Sequence, residues 1–275
     1  MNPVSISEQM MYNTVRLETL TGSSGTGFFF SYEFDNTSVP VLITNKHVVN
    51  DNPNETMVFL LHLADQSGND SGENYRVELS TQWIFHPTHD ICFTFVAPLF
   101  GEVKRRTGKD VFYRTNSESL IRNRESLLEL SALESVVMVG YPNGLWDKNH
   151  NYPIFRKGYT ANHPGYDFNE KSVGLVDMAC FPGSSGSPIY ILDENGFCDK
   201  IGNVYLGQKR LIFLGILFAG PVMNINGDIV VVDIPTQKKA ITNAQTMINL
   251  GYYAKAYELL KFKSMIKLLL DTGSR

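Results

Sequence analysis

From its start to about residue 235 the chain is written in short apolar or alternating runs of strand length, each closed by turn residues. Residues 27–30, 39–43, 56–63, 91–96, 135–140, 188–192, 211–218 and 229–234 all read this way. Runs this short, bounded by Gly, Pro and Asn, suit strands and cannot cover one face of a long helix. Asn-Gly pairs at 143–144, 195–196 and 226–227 tolerate the positive φ that tight hairpins require. The texture predicts an all-β fold, and 275 residues can bury one large core or two moderate ones.

Two segments break the pattern. Residues 117–133, with Leu120, Ile121, Leu127, Leu128 and Leu130 among charges, read as a helical connector. Residues 236–270 read as helical, interrupted near Gly251, because Tyr253, Ala256, Tyr257 and Leu260 recur at helical spacing. Gly68 to Gly72 read as an exposed loop, and no tandem repeat or low-complexity linker divides the chain.

Charge narrows the function classes. The net charge of -4 gives no overall pull toward nucleic acid or an anionic membrane. Residues 236–275 run against this: six Lys and one Arg against Glu258 and Asp271 give +5, leaving -9 for the remainder. That tail is either a docking surface for a regulatory partner or a packed helix with solvated lysines, and packing is the weightier reading. The N-terminus lacks the basic start and apolar stretch of a secretory signal. The apolar run at 211–223 is broken by Gly215, Gly220 and Pro221 and falls short of the roughly 20 residues that span a bilayer. A cytoplasmic protein without a membrane span is expected. Cys92, Cys180 and Cys198 show no paired spacing and read as reduced thiols, consistent with a reducing compartment.

The most informative run is Phe181-Pro182-Gly183-Ser184-Ser185-Gly186-Ser187-Pro188. Small residues around a serine admit a substrate carbonyl, and glycines let successive N–H groups converge where an oxyanion forms. A Ser/Gly-rich turn before a strand would look the same. Gly22-Ser23-Ser24-Gly25-Thr26-Gly27 repeats the Gly-Ser-Ser-Gly core, and Ser24 reads as a turn residue. A serine needs a base. Of six histidines only His47 ends a buried-strand pattern, Val41-Leu42-Ile43-Thr44, in a polar turn. Asp90 opens the apolar run Ile91-Cys92-Phe93 and is a candidate to orient the imidazole; Asp65 and Asp70 lie in loop-like sequence. His86 and His89 form a His-x-x-His pair with no third ligand evident, a weak metal signal.

These blocks resemble the chymotrypsin/trypsin superfamily of serine peptidases, closest to its bacterial, HtrA-type and viral branches. Residues 183–188 match the Gly-Asp-Ser-Gly-Gly-Pro signature, with Ser184 and Ser187 departing. Thr44 and His47 match the Thr-Ala-Ala-His block, and Asp90 the Asp-Ile-Ala-Leu block, in the order His, Asp, Ser. Gly140-Tyr141-Pro142-Asn143-Gly144 resembles a Gly-x-Pro-x-Gly block of HtrA-type members. The resemblance implies two six-stranded antiparallel β-barrels with C-terminal helices: residues 1–115, 116–235 and 236–275 in turn. It implies Ser185 as nucleophile, His47 as general base, Asp90 as orienter, and the N–H groups of Gly183 and Ser185 as the oxyanion hole.

It also implies a specificity pocket with Ala179 as floor, Phe218, Ala219 and Gly220 along the substrate-pairing strand, and Val231 on another wall. A neutral pocket predicts cleavage of polypeptides after small or medium apolar residues, although Asp177 is near in sequence. No cofactor or metal is implied. Secreted relatives are switched on by a new N-terminus that pairs with an acid just before the nucleophile; Ser184 stands there, so that switch is not expected. The rival readings are a triad-dependent esterase and a peptide-binding pseudoenzyme.

Overall fold

The alternating runs of the first half pair into one sheet. A computed structural model describes residues 2–35, 37–142, 145–229, 240–247 and 249–273, with only the backbone across 222–229 and 240–247. Helix α1 (Ile6–Asn13) leads into β1 (Thr14–Thr19), β2 (Ser24–Phe34) and β3 (Thr37–Thr44). Strands β4 (Thr56–Ala64), β5 (Asp70–Ser80), β6 (Ile84–Phe85) and β7 (Cys92–Phe95) follow. After helix α2 (Val96–Thr107), the short strands β8 (Val111–Phe112) and β9 (Asn116–Ser117) complete the nine. They lie in the order β5-β4-β1-β2-β3-β7-β6, with β8 on β4 and β9 on β2. The path ends on β5 and β6, so this half is a nine-stranded sheet and not the closed six-stranded barrel expected.

Helix α3 (Arg124–Leu128) leads to the second half. Strands β10 (Ser135–Gly140), β11 (Ile154–Thr160), β12 (Val173–Asp177) and β13 (Pro188–Asp193) are followed by the hairpin β14 (Gly196–Cys198) and β15 (Val204–Leu206). Then come β16 (Arg210–Ala219), the hairpin β17 (Val222–Ile229) and β18 (Ala240–Met247), β19 (Leu250–Lys255) and helix α4 (Leu260–Gly273). Here a closed six-stranded barrel forms, in the order β10-β11-β12-β19-β16-β13.

Strand β19 corrects the helical reading of 236–270 and the boundary drawn at residue 236. It fills the gap between β12 and β16, with Tyr253 opposite both Gly174 and Leu217. Tyr253 is buried, and its match to a helical spacing was a coincidence of strand and helix meeting at Lys255. The helix proper is α4, which packs its fully buried Phe262 and Ile266 into the shared core. Residues 117–133 hold the end of β9, a single 3-10 turn at Glu118–Leu120 and the short α3, not one helical connector. Helices α1 and α2 were not anticipated. The first starts on a capping box between Ser5 and Glu8, and the second stops where Gly108 takes φ 72°.

The two halves share a core because successive side chains of a strand point to opposite faces. Phe29 packs inside the N-terminal sheet with Leu17, Phe59 and Trp83. Phe28 and Phe30 face the other way and join Tyr190, Phe213 and Ile216 of the barrel. The Phe28 and Phe213 rings meet edge to face at 5.4 Å. Each such buried aromatic contributes on the order of 1.5–3 kcal/mol, so the halves are held as one body. Among the described residues no helix is long and apolar enough to cross a membrane.

Candidate active site

Strand β3 ends at Thr44, where its partner in β7 is Cys92. Because the strands are antiparallel, the residues after Thr44 lie opposite those before Cys92, which brings 45–47 to Asp90. The chain turns at once into a single 3-10 turn, His47–Val49. Asn45, fully buried, donates its side-chain N–H to the Asp90 carbonyl at 2.6 Å. The backbone N–H groups of Lys46 and His47 donate to Asp90 Oδ1 at 2.8 and 3.2 Å. The other oxygen, Oδ2, lies 2.5 Å from His47 Nδ1. Burial would raise the Asp90 pKa, but the His47 hydrogen bond, its charge and the two N–H groups outweigh it, holding the carboxyl below its ordinary range. A carboxylate held this way fixes the imidazole's tautomer and supports its protonated form. The bond consumes Nδ1 and leaves Nε2 free to exchange a proton.

Ser185 comes from the other half, in the connection between β12 and β13. The Phe181 carbonyl accepts from the Ser184 N–H at 3.0 Å, and Gly183 takes φ 85°. Pro182 followed by a glycine at positive φ is what a type II turn requires. Among the described residues the N–H groups of Gly183 and Ser185 donate no hydrogen bond within the protein, so both are available to a ligand oxygen. Ser185 Oγ makes no hydrogen bond to His47; such bonds commonly tighten only when substrate is bound.

What joins the two elements is Thr26, in the Gly-Ser-Ser-Gly-Thr-Gly run that opens β2. Its N–H donates to the Ser185 carbonyl at 2.9 Å, and its hydroxyl to the Gly183 carbonyl at 3.1 Å. The Thr26 carbonyl accepts from the buried Thr44 hydroxyl at 2.7 Å, three residues before His47. Gly186 is glycine for two reasons: it takes φ 84°, and a Cβ there would stand 1.9 Å from the Thr26 carbonyl oxygen. Sequence reading passed over Thr26 because its run looked like a copy of the nucleophile turn.

The expected pocket residues are partly gathered. Ala179 sits just beyond β12, and Phe218 and Ala219 end β16, with Gly220 next. Val231 lies outside the described residues. The strand that lies beside the end of β16 is β19, with Ala219 opposite Tyr252. This brings in Gly251, where a Cβ would stand 2.5 Å from Cys180 Sγ and 2.7 Å from Leu217 Cδ1. Asp177 is exposed next to buried Val176, so its side chain points out of the barrel. Burial pushes the Cys180 thiol up to about 11, leaving a neutral, unreactive group.

The sequence showed no third ligand for His86 and His89, but the structure brings Glu258 to them. Their ligand atoms lie within 4.8 Å of one another. His86 Nδ1 accepts the N–H groups of Thr88 and His89 at 3.3 and 3.0 Å, so in neutral His86 the hydrogen sits on Nε2. Lys261 Nζ is 2.5 Å from Glu258 Oε2 and already neutralises that carboxylate. A cation would have to displace the lysine and reverse the tautomer, so the group fits a hydrogen-bonded ion cluster better than a metal centre.

A family model for trypsin-like peptidase domains matches residues 25–197. No curated protein matches the chain significantly. Among solved structures, a serine protease of a human pathogenic astrovirus aligns at 14% identity over 89% of each chain, with TM-score 0.38. A thermostable serine protease from an extremophilic microorganism aligns at 15% identity over 90% of this chain and 93% of its own, with TM-score 0.42. An inactivated protease paralogue of the scabies mite aligns at 13% identity over 94% and 96%, with TM-score 0.47.

Proposed function

The chain belongs to the family of trypsin-like peptidase domains, and from that premise we propose that it is a serine endopeptidase with Ser185 as nucleophile, His47 as general base and Asp90 as orienter. The observation that carries this reading is the 2.5 Å contact between His47 Nδ1 and an Asp90 carboxylate already held by two backbone N–H groups. A carboxylate so fixed holds the proton on Nδ1 and keeps the Nε2 lone pair for the serine. In the reaction the Ser185 Oγ–H proton moves to His47 Nε2 as Oγ bonds to the substrate carbonyl carbon. The carbonyl oxygen becomes an oxyanion, which the N–H groups of Gly183 and Ser185 receive. Collapse breaks the C–N bond, and His47 returns its proton to the leaving amine. Water then enters by the reverse steps and frees Ser185.

The substrate is a polypeptide lying along the end of β16, where main-chain pairing fixes its direction. Ala179, Gly220 and Gly251 with the neutral Cys180 favour a small or medium apolar residue before the scissile bond. Labelling with a fluorophosphonate probe tests the assignment: the adduct should map to Ser185 and vanish in Ser185→Ala. A probe adduct elsewhere, or unchanged peptide cleavage by Ser185→Ala, would falsify it.

A further inference from the structure

Strand β11 carries a charge where its pattern calls for an apolar side chain. Phe155 and Lys157 are exposed, and Arg156 between them turns toward the barrel, opposite Met138 of β10. Among the described residues its guanidinium meets no carboxylate. Nη1 donates to the Ala179 carbonyl at 2.8 Å and to the hydroxyl of fully buried Ser184 at 2.6 Å. Nε and Nη2 are buried and have no partner among the described residues. Burial holds the arginine down at about 10, with Cys180 nearby.

For stability alone this is a poor arrangement, since a buried cation paired only with neutral oxygens is unfavourable against a well-packed apolar residue. Its position gives it another use. The two oxygens it grips stand at either end of the loop that carries Gly183, and Ser184 is bonded directly to Ser185. From the opposite side Thr26 holds the Gly183 and Ser185 carbonyls. Both carbonyls are thus tied away on one side, and Arg156 anchors the loop on the other. The loop's own turn cannot do this alone, because a Pro-Gly peptide flips readily between turn types and one of them turns the glycine N–H away.

We propose that Arg156 is a positioning residue: its bonds to Ala179 and Ser184 hold the 179–185 loop in the form that presents the Gly183 and Ser185 N–H groups, so that the oxyanion hole stands ready before substrate arrives. This rests on reading Ser185 as the nucleophile. It also assigns a function to the serine that replaces the family's acid before the nucleophile: a neutral acceptor for an internal arginine. Charge-assisted donors are roughly twice as strong as neutral ones, which suits a single nitrogen holding two chain segments.

The test uses the full chain with Arg156→Met, Arg156→Lys and Ser184→Ala, each checked for native near-ultraviolet circular dichroism. Loss of the hole acts on the transition state, so kcat and the rate of fluorophosphonate reaction at Ser185 should fall together while KM stays near the wild-type value. Arg156→Met should lower both rates about 10²-fold, the lower end of what losing one oxyanion donor costs. Arg156→Lys should recover much of that loss, and Ser184→Ala, which removes one hydroxyl, should lower the same rates without raising KM. A merely structural arginine would lower melting temperature and leave kcat per active site unchanged. Wild-type kcat in folded Arg156→Met, or in Ser184→Ala should the methionine variant fail to fold, overturns the proposal. A wild-type protein that never reacts at Ser185 overturns the reading of the nucleophile instead, and with it this inference.

Discussion

Thr26 donates its backbone N–H to the carbonyl of Ser185 at 2.9 Å, so the first β-sheet holds the candidate nucleophile by its own main chain. The Thr26 hydroxyl also accepts the N–H of buried Tyr141 at 3.1 Å, where the chain leaves β10 of the barrel. One side chain therefore serves a donor and an acceptor from the opposite half. Thr26→Val keeps the volume and β-branching but strands the Tyr141 N–H in the interior. A buried unsatisfied donor costs about 1–3 kcal/mol. Urea unfolding should show that loss, and kcat should fall because the Gly183 carbonyl is released. A Thr26→Val protein with wild-type midpoint and kcat would show that the two halves are aligned without this bond.

The two glycines of the nucleophile turn should separate fold from activity. At Gly186 a methyl group would meet the Thr26 carbonyl oxygen at 1.9 Å, and φ is 84°. Nothing in backbone can yield there, so Gly186→Ala should cost several kcal/mol and fail to give a native circular dichroism spectrum. Gly183 also has positive φ, at 85°, and among the described residues its N–H donates to nothing in the protein. Placing alanine there costs about 1–2 kcal/mol in the left-handed region, a strain the chain can relieve by flipping the Pro182-Gly183 peptide. Gly183→Ala should fold, bind peptide and turn over poorly. Equal stability of the two variants would contradict this account.

Removing Ser185 or His47 should each reduce turnover by about 10⁴–10⁶, with no further loss in the double variant, because nucleophile and base act as one unit. Asp90→Asn should reduce it about 10⁴-fold through the wrong tautomer, although an asparagine oxygen can still accept the Lys46 and His47 N–H groups. Pre-steady-state kinetics on a fluorogenic peptide would measure all three.

The legible parts were those decided by local chemistry. Strand runs, the turn at 181–187 and the strand ends carrying His47 and Asp90 each depend on neighbours in the chain, and β7 and β13 begin close to where those runs do. What escaped depends on distant partners. Tyr253 is a strand residue only because β12 and β16 leave a gap, and without that gap its spacing fits a helix equally well. Gly251 is a pocket candidate only through the register of β16 against β19, which no neighbour in the chain reveals. Arg156 carries no local signal, because its role depends on its inward direction and on Ser184, which lies 28 residues away in the chain. Helix α1 had a readable signal, Ser5 with Glu8 three residues on, that the strand texture around it concealed.

Specificity should be graded, with no single residue required before the scissile bond. Burying a medium apolar side chain contributes about 1.5–3 kcal/mol at most. Gly251 is the sensitive point: a Cβ would press on the buried Cys180 Sγ at 2.5 Å, one residue from the Ala179 expected at the pocket floor. Gly251→Ala should therefore shift a peptide-library profile toward alanine and glycine, while Cys180→Ala should widen it. A profile dominated by Arg or Lys would mean that an acid reaches the pocket, contrary to the outward direction of Asp177.

Acid should weaken the fold through His62. This histidine is buried on β4 among Tyr12 at 4.8 Å and Tyr152 at 5.8 Å, and its Nε2 has no partner among the described residues. Burial drives its pKa down from 6.5 to about 4, with the Asp70 charge offsetting only part of the effect. Above pH 6.5 the imidazole is neutral in folded and unfolded chains alike, and its contribution is fully present. As pH falls below 6.5 the unfolded chain takes up the proton first, so stability drops until the folded group also titrates near pH 4. His86, buried beside Phe262 and likewise held at about 4, adds a loss of the same sign over the same window. His62→Phe keeps the aromatic packing and cannot take up a proton. Its urea midpoint should match or exceed the wild-type value at pH 5, and its decline between pH 6.5 and 4 should be shallower. The residual slope should come from His86 and its neighbour His89, whose pKa burial also lowers. An identical slope in wild type and His62→Phe would mean that the imidazole takes up its proton as readily in the fold as in the unfolded chain.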